Sequence, residues 1–255
     1  MKALIIAVIC AAPLMQARAE ELPQKNFPAA KLTGLYVATS SGNISVGAAL
    51  TDEVLVKVPG ADPRKCAVAM RAEMGRLLLT AVPKAPGSGC PAGFSVLAPA
   101  RLKLEAKTAS GQVAVYDRSA DVKIENGAGA VAFGGLTGAL NVHNKQGEVS
   151  GASCLKKLNV TGNGTVKITG LCGPAAVTAR NAELSWDVVP STGSVSVTSK
   201  TGYATLTFPA DAKLSAALKN KSGRIRNDFN KTRGYPVTVN IETGDISLMK
   251  AARAK

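Results

Sequence analysis

The residues of this 255-residue chain that could do chemistry are its cysteines, one histidine, a few carboxylates, short glycine runs and one cationic segment. His143 is the only histidine, and no cysteine or serine stands at catalytic spacing from it. It follows Leu140-Asn141-Val142 and precedes Asn144, which reads as a solvated turn position. A β-helical carbohydrate-active enzyme would need clustered acids, either to hold calcium or to act as an acid–base pair. Asp117, Asp121 and Glu125 come nearest, but a spacing of four in strand-and-turn sequence gives them no common surface. Gly127-Ala128-Gly129 and Gly134-Gly135 lack the following helix that a phosphate cradle requires, and read as turns. The sequence therefore assigns no catalytic residue, no metal ligand and no cofactor, and the expectation is a non-enzyme.

The cationic segment is the stronger signal. Between Asp211 and Arg233, Lys213, Lys219, Lys221, Arg224, Arg226, Lys231 and Arg233 face only Asp211 and Asp228. Arg224 and Arg226 alternate around Ile225, so they point to one side of a strand. Lys219, Lys221, Arg224, Arg226, Lys231 and Arg233 are the candidate anion-binding face, with Lys167 and Lys200 as extensions on other repeats. The competing reading is a solubilising surface that also guards a strand edge. An acidic glycan or a lipid headgroup suits such charge, with peripheral membrane contact. Specific nucleic-acid recognition is not expected, since only Phe229 and Tyr235 are near enough to stack on bases. Trp186 alternates with Leu184 and reads as core rather than as a sugar platform.

The N-terminus reads as an export signal: Lys2, an apolar run from Ala3 to Ala12, then Ala17-Arg18-Ala19 as a cleavage site. The alternative, a lipid anchor on Cys10, is opposed by the bulky Ile9 before it. Cleavage after Ala19 leaves Cys66, Cys90, Cys154 and Cys172, which in an exported chain imply two disulfides. Three pairings are possible, and proximity favours Cys66–Cys90 with Cys154–Cys172. A metal site is disfavoured, because no pair is spaced C-x-x-C and His143 is distant. With Lys2 and Arg18 gone, 29 basic residues stand against 17 acidic ones, a balance that favours acidic polymers or anionic headgroups as neighbours.

The elements that must position these residues are short strands. From residue 110 onward a glycine turn is followed repeatedly by alternating apolar and polar residues. Ser110-Gly111-Gln112-Val113-Ala114-Val115, Gly129-Ala130-Val131, Gly147-Glu148-Val149, Gly164-Thr165-Val166, Gly193-Ser194-Val195, Gly202-Tyr203-Ala204, Gly223-Arg224-Ile225 and Gly244-Asp245-Ile246 are the copies. Period-two alternation marks half-buried strands. A second strand lies between successive copies, as in Val122-Lys123-Ile124 and Leu140-Asn141-Val142. Most successive copies recur at roughly 16 to 21 residues, the repeat length of a solenoid. Stacked repeats would set Val113, Val131, Val149 and Val166 in one interior column about 4.8 Å apart. The expected fold is all-β, a right-handed parallel β-helix of about seven irregular rungs. The alternative is an antiparallel sandwich of the same strands.

The Ser/Thr-Gly-x-Val/Ile-x-Val unit resembles the DUF4097 family of adhesin-like proteins. Phe94 to Leu104 leading into Ser110-Gly111, Phe208 to Leu214 leading into Ser222-Gly223, and the closing Ile241 to Leu248 carry the likeness over residues 32 to 249. It implies a non-catalytic adhesion or scaffold module and no catalytic motif. The chain then divides into a signal peptide (1–19), a linker (20–31), an N-terminal β section capping the stack (32–108), the solenoid repeats (109–249) and a basic tail (250–255). The predicted protein is exported, periplasmic or at the surface of a bacterium. A self-assembling structural role and a carbohydrate-active enzyme are the alternatives.

Overall fold

The computed structural model describes residues 24–229 and 233–252. The expected signal peptide, Lys231 and the last three residues of the basic tail lie outside these. Every regular element among the described residues is a β-strand, and all 21 strands belong to one continuous hydrogen-bonded sheet. The sheet is folded into two ladders whose inner faces share one core. Each repeat supplies one strand to the first ladder, turns a corner at its glycine, and supplies the next strand to the second.

In the first ladder Gly34–Thr39, Lys103–Thr108, Val122–Asn126, Ala139–Asn144, Lys157–Gly162 and Ala175–Thr178 follow one another in parallel. In the second, Ile44–Ala48, Val113–Tyr116, Val131–Gly134, Val149–Ala152, Thr165–Leu171 and Asn181–Trp186 do the same. Val195–Phe208 and Tyr235–Lys250 are long enough to run through both ladders. Val131 pairs with Val113 and Val149, and Val149 with Val166, so the expected interior column is present, each member buried. A matching column of Leu104, Val122, Leu140 and Leu158 lines the first ladder. The parallel solenoid holds and the antiparallel sandwich does not.

The glycine corner explains the repeat's fixed residue. A Cβ on Gly129 would fall on the carbonyl oxygen of Gly111, one on Gly147 on that of Gly129, and one on Gly164 on that of Gly147. Gly111, Gly129 and Gly147 also have φ of 145°, 125° and 115°, a region that L side chains avoid. Beside this column Asn126 and Asn144 are buried, and both donate Nδ2–H to the Gly129 carbonyl, at 3.1 and 3.3 Å. Two rungs thus share one acceptor, which ties the corner across the stack.

One difference from a simple solenoid appears at each end. Arg76–Pro83 and Phe94–Ala98 lie outside Gly34–Thr39 and Ile44–Ala48, which chain order would have placed first. At the other end Tyr235–Lys250 inserts between Val195–Phe208 and the final layer, Leu214–Ser222 with Ile225–Asn227. The layer of residues 34–48 and the Tyr235–Lys250 strand therefore pair on both sides instead of lying on an open edge. The N-terminal end adds antiparallel strands: Cys66–Glu73 on Arg76–Pro83, and Gln24–Pro28 on Glu53–Lys57, which pairs in turn with Phe94–Ala98. The region from Cys66 to Pro83 is thus a strand hairpin. The cysteines pair as proximity favoured, Cys66 with Cys90 and Cys154 with Cys172.

The corner opposite the glycines holds the bulkiest side chains. The Trp186 and Phe208 rings stack with centroids 4.4 Å apart, and Phe229 meets Phe208 edge-on at 6.4 Å. Trp186 is 1% exposed and donates Nε1–H to the Gly173 carbonyl at 3.1 Å, so it is core as expected. Further along this corner Arg118 is buried. Its guanidinium donates to the carbonyls of Ala98 and Leu102, at 2.8 and 2.7 Å, binding the irregular 98–102 turn to the first regular rungs. Burial pushes its pKa down to about 10, which leaves it charged at neutral pH.

Candidate functional site

The cationic segment becomes the outermost layer at the C-terminal end. Its strands pair on one side only, with Tyr235–Lys250. Lys219 pairs with Asn240 and points outward from the first ladder. Ile225 pairs with Ile246 and faces inward, so Arg224 and Arg226 point outward from the second ladder, on the opposite side of the molecule from Lys219. Lys221 stands at the glycine corner and Arg233 at the aromatic corner. The segment thus brings Arg224 and Arg226 together and distributes Lys219, Lys221 and Arg233 around the rest of the rim. All five are exposed. Lys231 lies outside the described residues.

Only part of this charge is neutralised. Lys221 Nζ lies 3.7 Å from Glu242, and Arg226 Nε lies 3.0 Å from Asp228. The Arg226 guanidinium holds the Asp228 carboxyl below its ordinary range. The Arg224 backbone N–H donates to Asp245 at 2.8 Å, leaving its guanidinium outward. Among the described residues no carboxylate lies within ion-pair distance of Lys213, Lys219, Arg224 or Arg233. Lys200 sits at the glycine corner, exposed, while Lys167 pairs with Glu183 at 3.8 Å, with three layers between its strand and the last one. Phe229 and Tyr235 are 6% and 9% exposed, so neither offers a face for stacking.

A groove of about 750 Å³ opens at the aromatic corner beside this rim. The 187–193 turn, the 209–213 turn and the 233–236 segment line it, with Asp187, Asp211, Lys213 and Arg233 as its charged residues. Arg233 belongs to both, so the mixed-charge groove borders the predominantly cationic rim.

The residues weighed for catalysis do not converge. Asp117 and Asp121 lie at the aromatic corner, where Asp121 accepts the Ala139 N–H at 3.0 Å. Glu125 lies on the outer side of the first ladder, between Lys107 and Lys123. His143 is within the strand Ala139–Asn144 rather than at a turn, because Asn144 carries the strand on to the corner. It faces outward beside Glu125 and Thr161. Among the described residues no three His, Cys, Asp or Glu side chains group as a metal site. Gly127, Gly129 and Gly135 are corners, whereas Gly134 ends a strand.

Sequence reasoning missed an ion-pair lattice on the outer side of the first ladder. Glu105 is held by Arg76 at 3.0 Å and Lys107 at 3.2 Å, and Glu125 by Lys107 at 3.2 Å and Lys123 at 2.6 Å. Arg76 and Lys107 also lie over the Tyr36 ring, at 5.8 and 5.9 Å. Burial raises the Glu105 pKa, but Lys107 and Arg76 outweigh it and the carboxyl stays below its ordinary range. The Lys123 ammonium chiefly holds Glu125 low. Aligning Glu105-Ala106-Lys107 over Lys123-Ile124-Glu125 one repeat on would have exposed this checkerboard.

The geometry defines a parallel-stacked β-solenoid whose distinctive chemistry lies on its rim and outer surfaces. The chain belongs to the DUF4097, or Toastrack, family, which it matches over residues 22–249. A candidate adhesin from Bacteroides fragilis NCTC 9343 has a similar structure at 13% identity, with a TM-score of 0.54 over 91% of this chain and 98% of its own. A candidate cell adhesion protein from Clostridium sporogenes ATCC 15579 aligns over 90% of this chain and 100% of its own, at 10% identity and a TM-score of 0.28. No curated protein matches the chain. No helix among the described residues is long and apolar enough to cross a membrane.

Proposed function

We propose that this protein is an exported, non-catalytic adhesion or scaffold module of a bacterial envelope, which engages polyanions through the cationic rim at the C-terminal end of its stack. The observation that carries the reading is the rim itself: Lys219, Arg224 and Arg233 exposed on the last layer with no neutralising carboxylate among the described residues. A cation left unpaired keeps its full attraction for a phosphate or carboxylate polymer. The two disulfides and the signal-like first nineteen residues support export. The similarity in fold to the candidate adhesin from Bacteroides fragilis is in keeping with a binding role.

The test is binding of the chain from Glu20 onward to phosphatidylcholine vesicles with and without phosphatidylglycerol, and to acidic and neutral glycans, at low and high salt. Binding confined to the anionic members and weakened by salt is expected. Equal binding to neutral and anionic surfaces, or no binding to either, would overturn the rim as the site. Fractionation of a cell producing the full chain tests export, and an uncleaved product retained in the cytoplasm would contradict it.

A further inference from the structure

At the opposite end of the stack the second ladder finishes in Gln24–Pro28, and the first ladder finishes in a strand with an open edge. Cys66–Glu73 pairs with Arg76–Pro83 through a two-residue turn, Met74 and Gly75, at φ of 47° and 74°. Two positive φ values in a row make the tight hairpin whose flanking pair, Glu73 and Arg76, exchanges both backbone bonds. Antiparallel bonding alternates from there. Arg71, Ala69 and Ala67 therefore bond to Arg76–Pro83, while the N–H and C=O groups of Val68, Met70 and Ala72 lie along the free edge. No other strand of the described residues pairs there. The residues opposite Val68, Met70 and Ala72 are Ala81, Leu79 and Leu77, all fully buried, so these three point to the core side of the sheet. Yet Val68 is 37% exposed, and Ala72 is exposed. The core face of the first ladder simply continues past the end of the core.

We propose that this edge pairs antiparallel with the same strand of a second copy, about a two-fold axis at Met70, closing the N-terminal ends of two stacks against each other. The register follows from side-chain sizes. Centring on Met70 sets Val68 opposite Ala72, Arg71 opposite Ala69 and Glu73 opposite Ala67, so each of these large residues meets an alanine, the two flexible Met70 side chains meet at the axis, and no like charges face directly. It also makes Met70, Val68 and Ala72 bonded pairs, and these are the residues whose backbone groups are free. The three core-side residues of each copy then form one apolar strip. The strand holds no proline or lysine, the commonest devices against edge pairing, and its two charges, Arg71 and Glu73, pair with each other. The C-terminal edge carries Lys219, Lys221, Arg224 and Arg226, whose mutual repulsion opposes the same pairing there. One permissive end and one repelling end give a closed dimer rather than a filament.

The experiment is light scattering of the chain from Glu20 onward, with Met70→Lys and Met70→Cys variants. The wild type is expected to be a dimer. Met70→Lys places two ammonium groups at the axis and should halve the mass. Met70→Cys places two thiols at a bonded pair about 5.5 Å apart between Cα atoms, within disulfide reach, and should give a covalent dimer under oxidation. Met70 is half-buried against the edge of the core, but its backbone groups face the free edge, so both variants leave the bonds of the strand to Arg76–Pro83 in place. A wild type monomeric up to its solubility limit overturns the proposal and leaves the edge for a strand of another protein. A dimer that survives Met70→Lys and fails to cross-link through Met70→Cys also overturns it.

Discussion

The two ends of the stack solve the same problem with different means. At each, the regular layer that chain order would place outermost is tucked inward beneath other strands, which at the N-terminal end include Gln24–Pro28 as the outermost strand of the second ladder. At the N-terminal end the outer layer is held by antiparallel strands and the Cys66–Cys90 disulfide. At the C-terminal end no disulfide is found among the described residues, and the aromatic stack of Trp186, Phe208 and Phe229 anchors the last layer. The edges differ as well, apolar at one end and cationic at the other. Capping a parallel stack therefore does not dictate edge chemistry, which is left open for use.

Removing the aromatic anchor should do most to break this comparison. Phe208→Ala should cost about 3–5 kcal/mol, since the ring is fully buried between two others. Denaturant unfolding checks it, and hydrogen exchange should place the greatest loss in residues 214–227. Replacing Cys66 and Cys90 with alanine should cost about 3 kcal/mol by freeing a 24-residue loop, with the loss at the N-terminal end. If either variant destabilises both ends equally, the ends are not separately anchored.

Next in size is a pair of glycines. Gly244 has φ of 138°, and a Cβ there would fall on the Gly202 carbonyl. Gly244→Ala should cost about 2–3 kcal/mol from crowding and backbone strain. Gly87 has φ of 77° but nothing within 4 Å, so Gly87→Ala should cost only the strain, about 1 kcal/mol. Melting temperatures of the two variants sharpen the claim that corner glycines are required by stacking.

The smallest effect is acid sensitivity of the first-ladder lattice. Glu105 and Glu125 have pKa values held below the ordinary 4.5 in the folded chain. Their contribution is fully present above about pH 4.5 and is lost as pH falls through the lower folded values. A shallow loss of stability in that range is expected, and Glu105→Gln should flatten it.

How much of this was legible varies along the chain. The glycine-led alternation revealed the strands, their pairing in parallel and the interior valine column, because each repeat meets the next in the same register. The disulfide pairing followed from proximity. The inward tuck of both ends was not legible, since swapping neighbouring layers leaves each strand's alternation unchanged. Arg118 was hidden for a similar reason: its partners are backbone carbonyls, which have no sequence signature. The cationic segment was visible as composition. Its arrangement around a rim was not, because Lys219 and Arg226 lie on different ladders of one layer.

The central claim is that the C-terminal rim binds polyanions, and the salt dependence of that binding tests it most directly. The slope of log affinity against log salt for anionic vesicles should be clearly negative for the wild type, and shallower by roughly one unit per cation removed in Arg224→Gln and in Arg224→Gln with Arg226→Gln. An unchanged slope in both variants would place the binding elsewhere and contradict the account.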